Sequence, residues 1–266
     1  MNNNNTFSGL GPKEAELVAR LSYEKKTIVS AKDIDGFLPA DFKYRNQFVY
    51  NLRQKKILNP IKRGFYVFTP LEAILSGVRI NEFLIPPVFF PRKNYYIGYS
   101  TMFNYYGFTD QLFQTIYVIN TSLCRAKEIC GVSYKFLKVP ADRIYGIEII
   151  KVSDTNVLVS SKERTLIDLI YFNRPVGGVS PAVEILKKII AKKECDIKKL
   201  IEYAALFPNV TVRKRMGVVL ENLGIEPSVL RPLAKSVENT ALSSLTGTRR
   251  GEINKKWRVI VDDSQK

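Results

Sequence analysis

Between residues 12 and 68 the apolar residues change period several times, and few folds accommodate the order in which they do so. Ala15, Leu17, Val18 and Leu21 recur at helical spacing behind Pro12, a residue suited to a first helical position, and Glu14 and Glu16 suit the positive end of a helix dipole. Thr27–Val29 is a short β-prone run. Ser30 then stands where a cap opens a second helix, Ala31 to about Phe37, with Asp33 as the reciprocal acid. Leu38–Ala40 reads as a turn, and Asp41 as the cap of a third helix reaching about Lys55. Two β-prone runs, Ile57–Ile61 and Phe65–Phe68, flank the basic turn Lys62-Arg63-Gly64, which is the pattern of a hairpin. Helix, strand, helix, turn, helix, basic hairpin is the order of a winged helix-turn-helix. In that motif the second helix of the pair enters the DNA major groove.

The charge follows the same segment. The chain carries a formal +16, of which residues 1–80 hold +6. Residues 41–63 alone set seven basic residues (Lys43, Arg45, Arg53, Lys55, Lys56, Lys62 and Arg63) against one acid, Asp41. Charge concentrated in this way reads as an electrostatic footprint for a polyanion. Projected at 100° per residue, the third helix turns Phe42, Phe48, Val49 and Leu52 inward. The opposite face carries Lys43, Gln47, Tyr50, Asn51 and Gln54, with Tyr44 at its edge and Arg45 beside it. Asn and Gln can pair bidentately with adenine, and Arg and Lys can reach guanine or phosphate. These residues, with Lys62 and Arg63 at the hairpin, are the expected contacts to double-stranded DNA.

The proline-rich stretch Ile85–Pro91 separates this region from a differently patterned one, so a boundary is placed near residue 80. The expected organisation is a disordered 1–10, a DNA-binding domain over 11–80, and a larger mixed α/β domain over 81–262 with a helical end, an α+β chain overall. In the second domain an extended Tyr95–Ile97 leads to a helix Thr101–Tyr106 closed by Gly107. Strands are expected at 114–119, 132–137, 144–152 and 157–159, with a capping box Ser160–Glu163 opening a helix from Lys162 to about Tyr171. From Ser180 onward the period is helical: Ala182–Lys193 behind Ser180-Pro181, a helix capped by Asp196, Thr211–Leu223 after Asn209, and another starting at Pro227. A strand-like Trp257–Val261 follows. Arg213-Lys214-Arg215, at a helix start where the dipole disfavours cations, and Arg249-Arg250 are read as a possible second basic surface.

Composition limits the chemistry. The chain has no histidine, which excludes Ser-His and Cys-His catalytic pairs and His-containing zinc sites. Its cysteines, Cys124, Cys130 and Cys195, form no CxxC pair and suit reduced thiols in a cytoplasm. The polar start has no signal-peptide core, and no apolar run approaches the ~20 residues of a membrane span. No cofactor and no metal is expected. Glu163, Arg164 and Asp168 form the one compact polar cluster of the second domain. One reading makes Glu163 and Asp168, joined by Asp142, Mg²⁺ ligands of a nuclease or nucleotidyl-transfer enzyme. The other makes Glu163 part of a helix cap and pairs Asp168 with Arg164 one turn away. A third possibility is a DNA-bound module whose helical end holds a protein partner.

Several segments, taken in order, resemble one family. Arg63-Gly64-Phe65-Tyr66-Val67 resembles its wing, and Tyr99–Thr109 a Ser-initiated helix followed by Gly, with Thr101 in place of the usual alanine. Ser161–Asp168, with its Glu-Arg-Thr core, Arg213–Gly224 and the ending at Trp257 resemble further segments. The ordered set, from about residue 12 to 261, is similar to the AbiEi-type antitoxins of type IV toxin–antitoxin and phage-defence systems. The resemblance implies a non-enzymatic winged-helix repressor of its own operon that binds inverted repeats in the promoter. It further implies neutralisation of a nucleotidyltransferase-like toxin without a stable complex. The glutamine- and tyrosine-rich face of the third helix departs from the family pattern, so no operator sequence carries over.

Overall fold

The computed structural model describes residues 9–39, 43–76, 81–245 and 251–261. It is a mixed α/β chain with several sheets, divided into two compact units. The first comprises the described residues up to Phe89 together with Glu128–Val132; the second holds the rest.

In the first unit α1 (Pro12–Tyr23) starts at its proline, and the Glu14 carboxylate accepts the Gly11 N–H at 2.9 Å. Leu17, Val18 and Leu21 form its buried stripe. Strand β1 (Ile28–Ser30) runs into α2 (Ala31–Phe37) through a reciprocal cap. Ser30 Oγ accepts the Asp33 N–H at 3.2 Å, and the Asp33 carboxylate accepts the Ser30 N–H at 2.8 Å. The third helix, α3 (Arg45–Gln54), begins later than Asp41 would have placed it. Tyr44 is its N-cap and makes no side-chain capping bond, while Asp41 lies outside the described residues.

Strands β2 (Leu58–Lys62) and β3 (Phe65–Phe68) form the hairpin. Gly64, at φ +76°, supplies the left-handed conformation that a two-residue turn needs. The sheet order is β1-β3-β2, antiparallel throughout, with Val29 opposite Tyr66 and Leu58 opposite Phe68. Pro60 is tolerated because β2 is an edge strand, and the register shifts just after it. Leu17, Leu21, Val29, Ile34, Phe48, Leu52 and Phe68 close one core beneath the three helices. Truncating a core position of this kind to alanine typically costs about 2–5 kcal/mol. The unit continues through α4 (Leu71–Ser76), a 3₁₀ turn (Glu82–Leu84) and α5 (Pro86–Phe89).

The second unit is built on a six-stranded sheet. Its strands are β4 (Tyr95–Gly98), β5 (Thr115–Asn120), β6 (Arg125–Ile129), β7 (Val132–Lys138), β8 (Ile147–Val152) and β9 (Thr155–Ser160), in the order β6-β7-β5-β4-β9-β8. The sheet is mixed: β4/β9 and β5/β7 are parallel, β4/β5 and β8/β9 antiparallel. Helix α6 (Ser100–Tyr105) springs from β4 through Tyr99, whose φ of 54° and ψ of −141° are rare for a side-chain-bearing residue. The Tyr99 ring stacks on Phe172 at 4.9 Å and sets an edge to Tyr117.

Helices α7 (Lys162–Tyr171), α8 (Val179–Ala191), α9 (Ile197–Leu206), α10 (Val210–Asn222) and α11 (Pro227–Lys235) bury one large apolar cluster that includes Leu166, Leu186, Leu200, Met216 and Leu230. The caps Asp196 and Asn209 stand where the sequence puts them. Two others shift. Ser161, not Ser160, caps α7, because Ser160 ends β9 and its hydroxyl bonds Thr165. Helix α8 starts at Val179 behind Gly178, so Pro181 falls within the first turn, where an N–H has no helical partner to lose. A three-stranded sheet, β10 (Ser243–Ser244), β11 (Glu252–Asn254) and β12 (Val259–Val261), ends the unit in the order β10-β12-β11. The strand expected over 257–261 is shortened because Trp257 turns inward before it and is fully buried.

Candidate nucleic-acid interface

Helix α3 divides as its sequence requires. Phe48 and Leu52 are buried, and Val49 packs against the same core; Phe42 lies outside the described residues. The other side is open. Tyr44 is 72% and Tyr50 52% exposed, and Gln47 and Gln54 are exposed with Asn51 half-buried between them. Lys43 and Tyr44 belong to the turn leading into the helix rather than to the helix itself. Gln47 and Asn51 are joined: Gln47 Nε2 donates to Asn51 Oδ1 at 2.8 Å.

The basic residues of this segment separate into two groups. Arg45 is ion-paired to Asp35 on α2. Lys55 pairs with the buried Glu14 carboxylate and also donates to the Gly9 carbonyl at 3.3 Å. Lys62 does not stand at the hairpin tip. Its ammonium donates to the Val88 carbonyl and lies 4.8 Å from the Phe65 ring centroid and 5.6 Å from that of Phe89, where burial pushes its pKa down. Lys43, Arg53, Lys56 and Arg63 are exposed and in no ion pair among the described residues. Lys43 therefore precedes α3, Arg53 lies in its last turn, Lys56 follows it, and Arg63 occupies the turn of the hairpin.

Of the expected second basic surface, the described residues Arg213, Lys214 and Arg215 are engaged with the backbone. Lys214 is fully buried and donates to the Ala241 and Arg258 carbonyls. Arg213 donates to the Ser236 carbonyl at 2.9 Å and Arg215 to the Ser244 carbonyl at 3.5 Å. Burial lowers the pKa of both Lys214 and Arg215. The cations at this helix start are thus answered by the backbone oxygens of residues 236–258, which dock the end of the chain onto α10. Arg249 and Arg250 lie outside the described residues.

The carboxylate cluster is likewise committed. Glu163 does not complete a cap on its own helix; its Oε1 accepts the Asp196 N–H at 2.9 Å, tying α7 to the start of α9. Arg164 is 3% exposed and donates in four directions: to Asp168 Oδ1 at 3.2 Å, the Arg143 carbonyl at 3.1 Å, the Tyr145 carbonyl at 3.2 Å and the Tyr96 hydroxyl at 2.8 Å. Its guanidinium also lies 4.4 Å from the Tyr145 ring centroid. Burial opposes its charge, but Asp168 and the surrounding phenols outweigh burial and raise its pKa above the ordinary value. Asp142 is exposed on a separate 3₁₀ turn. Among the described residues no group of three or more Cys, Asp or Glu could hold a metal ion. No helix there is long and apolar enough to cross a membrane.

No family model matches the chain, and no curated protein matches it in sequence. A solved structure does. The RV2827C protein from Mycobacterium tuberculosis superposes with a TM-score of 0.67, over 96% of this chain and 92% of that one, at 15% identity. The likeness is one of fold, and it spans both units of the chain.

Proposed function

We propose that the chain is a DNA-binding autorepressor and antitoxin of the AbiEi type. In this reading the first unit is a winged helix-turn-helix: α2 and α3 are the helix pair, β2 and β3 the wing, and β1 the strand that anchors the wing to the helices. The observation that carries the reading is the exposed face of α3. It offers Tyr44, Gln47, Tyr50, Asn51 and Gln54 without an acid, with open cations at Lys43, Arg53, Lys56 and Arg63. Such a face matches a groove lined by base edges and phosphates. The operon-level function, repression through inverted repeats in its own promoter and neutralisation of a nucleotidyltransferase-like toxin without a stable complex, rests on the ordered family resemblance. The commitment of Glu163 and Asp168 to structural bonds favours it over a Mg²⁺-dependent enzyme.

The test is a gel-shift titration of the full chain against the DNA upstream of its own gene, with random DNA of equal length as competitor, at two salt concentrations. Saturable binding that survives the competitor supports the proposal. Equal, salt-erased binding to both DNAs overturns it, because phosphate contacts alone behave in that way.

A further inference from the structure

We infer that one face of the six-stranded sheet in the second unit binds single-stranded RNA, with Tyr117 and Tyr171 as stacking platforms and Lys135 and Lys151 as phosphate contacts. The strand registers define that face. They set Gly98 opposite Tyr117, Tyr117 opposite Lys135, Ile149 opposite Leu158 and Lys151 opposite Asn156. The face is apolar but thinly covered. Of its cluster only Tyr96, Tyr99 and Ile119 are buried; Tyr117, Leu158 and Phe172 are half-buried, and Ile149 is 60% exposed. On this face the positions of β4, β5, β7, β8 and β9 carry two cations, Lys135 and Lys151, and no carboxylate. An open apolar face of this kind marks an interaction surface, and its charge selects an anionic occupant.

The aromatic groups say which anion. The Tyr117 ring is held in place, with Phe172 at 5.1 Å and Tyr99 at 5.9 Å, both at steep angles to it. Tyr171, 40% exposed at the end of α7, lies 6.3 Å from Tyr99 and sets an edge to Phe207. Both exposed phenols therefore rest against Tyr99, close enough to serve neighbouring bases of one strand. Lys135 Nζ stands 5.7 Å from the Tyr117 ring centroid, over the surface a base would use. A base that stacks there displaces the ammonium toward its own phosphate, exchanging a cation–π contact for a charge pair. Aromatic rings beside cations suit unpaired bases, because a duplex hides its base faces. Thr115, Ser133 and Asn156, on the same face, supply hydrogen-bonding groups for a 2′-hydroxyl, which favours RNA over DNA.

The full chain is titrated into a fluorescein-labelled oligouridine, its deoxyuridine counterpart and an RNA duplex of equal length, with anisotropy as the readout. The expected order of affinity puts the oligouridine first. Tyr117→Leu and Tyr171→Leu keep apolar bulk without a π-face and each weaken RNA binding about tenfold, while Tyr117→Phe and Tyr171→Phe bind as the wild type does. Lys135→Gln lowers the salt slope by about 0.7, the value of one phosphate contact on a single strand. Arg63→Ala, in the first unit, leaves RNA binding unchanged, so the outcome is independent of the DNA-binding reading of α3. An oligouridine carrying 4-thiouridine crosslinks to the peptides holding Tyr117 and Tyr171; the crosslink needs no variant to fold. Absence of RNA binding overturns the inference. So do leucine variants of unchanged affinity, or RNA binding lost with Arg63→Ala, which assigns the RNA to the first unit. A polyglutamate peptide of equal charge that binds as tightly as the RNA overturns it in favour of an acidic protein partner.

Discussion

Replacing Gly217 by alanine is expected to destabilise the second unit by about 1.5–5 kcal/mol, against the direction that helix propensity alone gives. Gly217 lies inside α10, where Gly→Ala would ordinarily stabilise by about 1 kcal/mol. The structure reverses that sign. A Cβ at position 217 would lie 2.5 Å from Cδ2 of the Trp257 indole and closer still to Cε3 and Cζ3, where carbons normally rest at about 3.5–4.0 Å. The ring must therefore move by about 1 Å or more. Trp257 is fully buried, and its Nε1–H donates to the Glu221 carboxylate at 2.7 Å, so it cannot move without losing that bond. Overpacking costs about 1–3 kcal/mol, and a hydrogen bond to a charged group contributes about 1.5–3 kcal/mol. Their sum, less the propensity gain, is the figure given.

The chain has one tryptophan, so its fluorescence reports this contact directly. Urea unfolding followed by emission and by circular dichroism should show a lower midpoint, and the native emission of Gly217→Ala should shift to the red as the indole loses its pocket. In a Trp257→Phe background, where the smaller ring leaves room, the same substitution should cost less than about 1 kcal/mol. A Gly217→Ala protein with wild-type emission and stability within ~0.5 kcal/mol would refute the reasoning, because that margin is what an uninvolved site shows.

Three further outcomes are expected. Arg164→Leu leaves Asp168 buried without its counter-charge and should cost about 3–5 kcal/mol, most of which Arg164→Leu with Asp168→Leu recovers; a double-mutant cycle with no coupling would dismiss the pair as a stabilising unit. Burial raises the Asp33 pKa, but bonds from Lys26 and Ser30 outweigh it and hold the carboxyl at about 2, against an ordinary 3.8. Because the folded value is the lower one, this contribution is complete above about pH 4 and is lost as pH falls toward 2. It amounts to about 1 kcal/mol once solvent screening at this half-exposed site is allowed for, and Asp33→Asn should flatten that part of an acid-unfolding curve. At the hairpin, Arg63→Ala should reduce the salt slope of DNA binding by about 0.9 per lost phosphate contact. Lys62→Ala should leave that slope unchanged and lower thermal stability, since Lys62 is tied to Val88 and two aromatic rings.

The elements that local chemistry decides were readable in advance. Ser30 with Asp33, Asp196, and Asn209 each satisfy orphan N–H groups through a side chain two or three residues away, and each is legible from that spacing. What could not be read depended on partners distant in sequence. Strand β6, Arg125–Ile129, carries three charged residues and no apolar run; it is a strand because it edges a sheet whose other members are clear. Trp257 looked like the start of a strand, and only the gap left by Gly217, 40 positions earlier in sequence, explains why it turns inward.

Charge shows the same limit and bears most on function. A basic residue counts equally in a net charge whether it meets solvent or a carbonyl. The triplet Arg213–Arg215 has the composition of a nucleic-acid patch, yet each member is spent on the backbone of the chain's own end. Of the seven basic residues in 41–63, Arg45, Lys55 and Lys62 are engaged within the first unit. This removes charge from the count but sharpens what remains. Arg45 and Lys55 brace α3 at its two ends, against α2 and α1, so the helix that would meet DNA is held rigid by cations the sequence assigns to the ligand. Removing the Lys55 charge by Lys55→Gln should therefore weaken binding through a loosened α3. Its signature would be lost protection of α3 amides in hydrogen exchange with the salt slope unchanged, whereas a Lys55 that touched phosphate would lower the slope and leave exchange as it was.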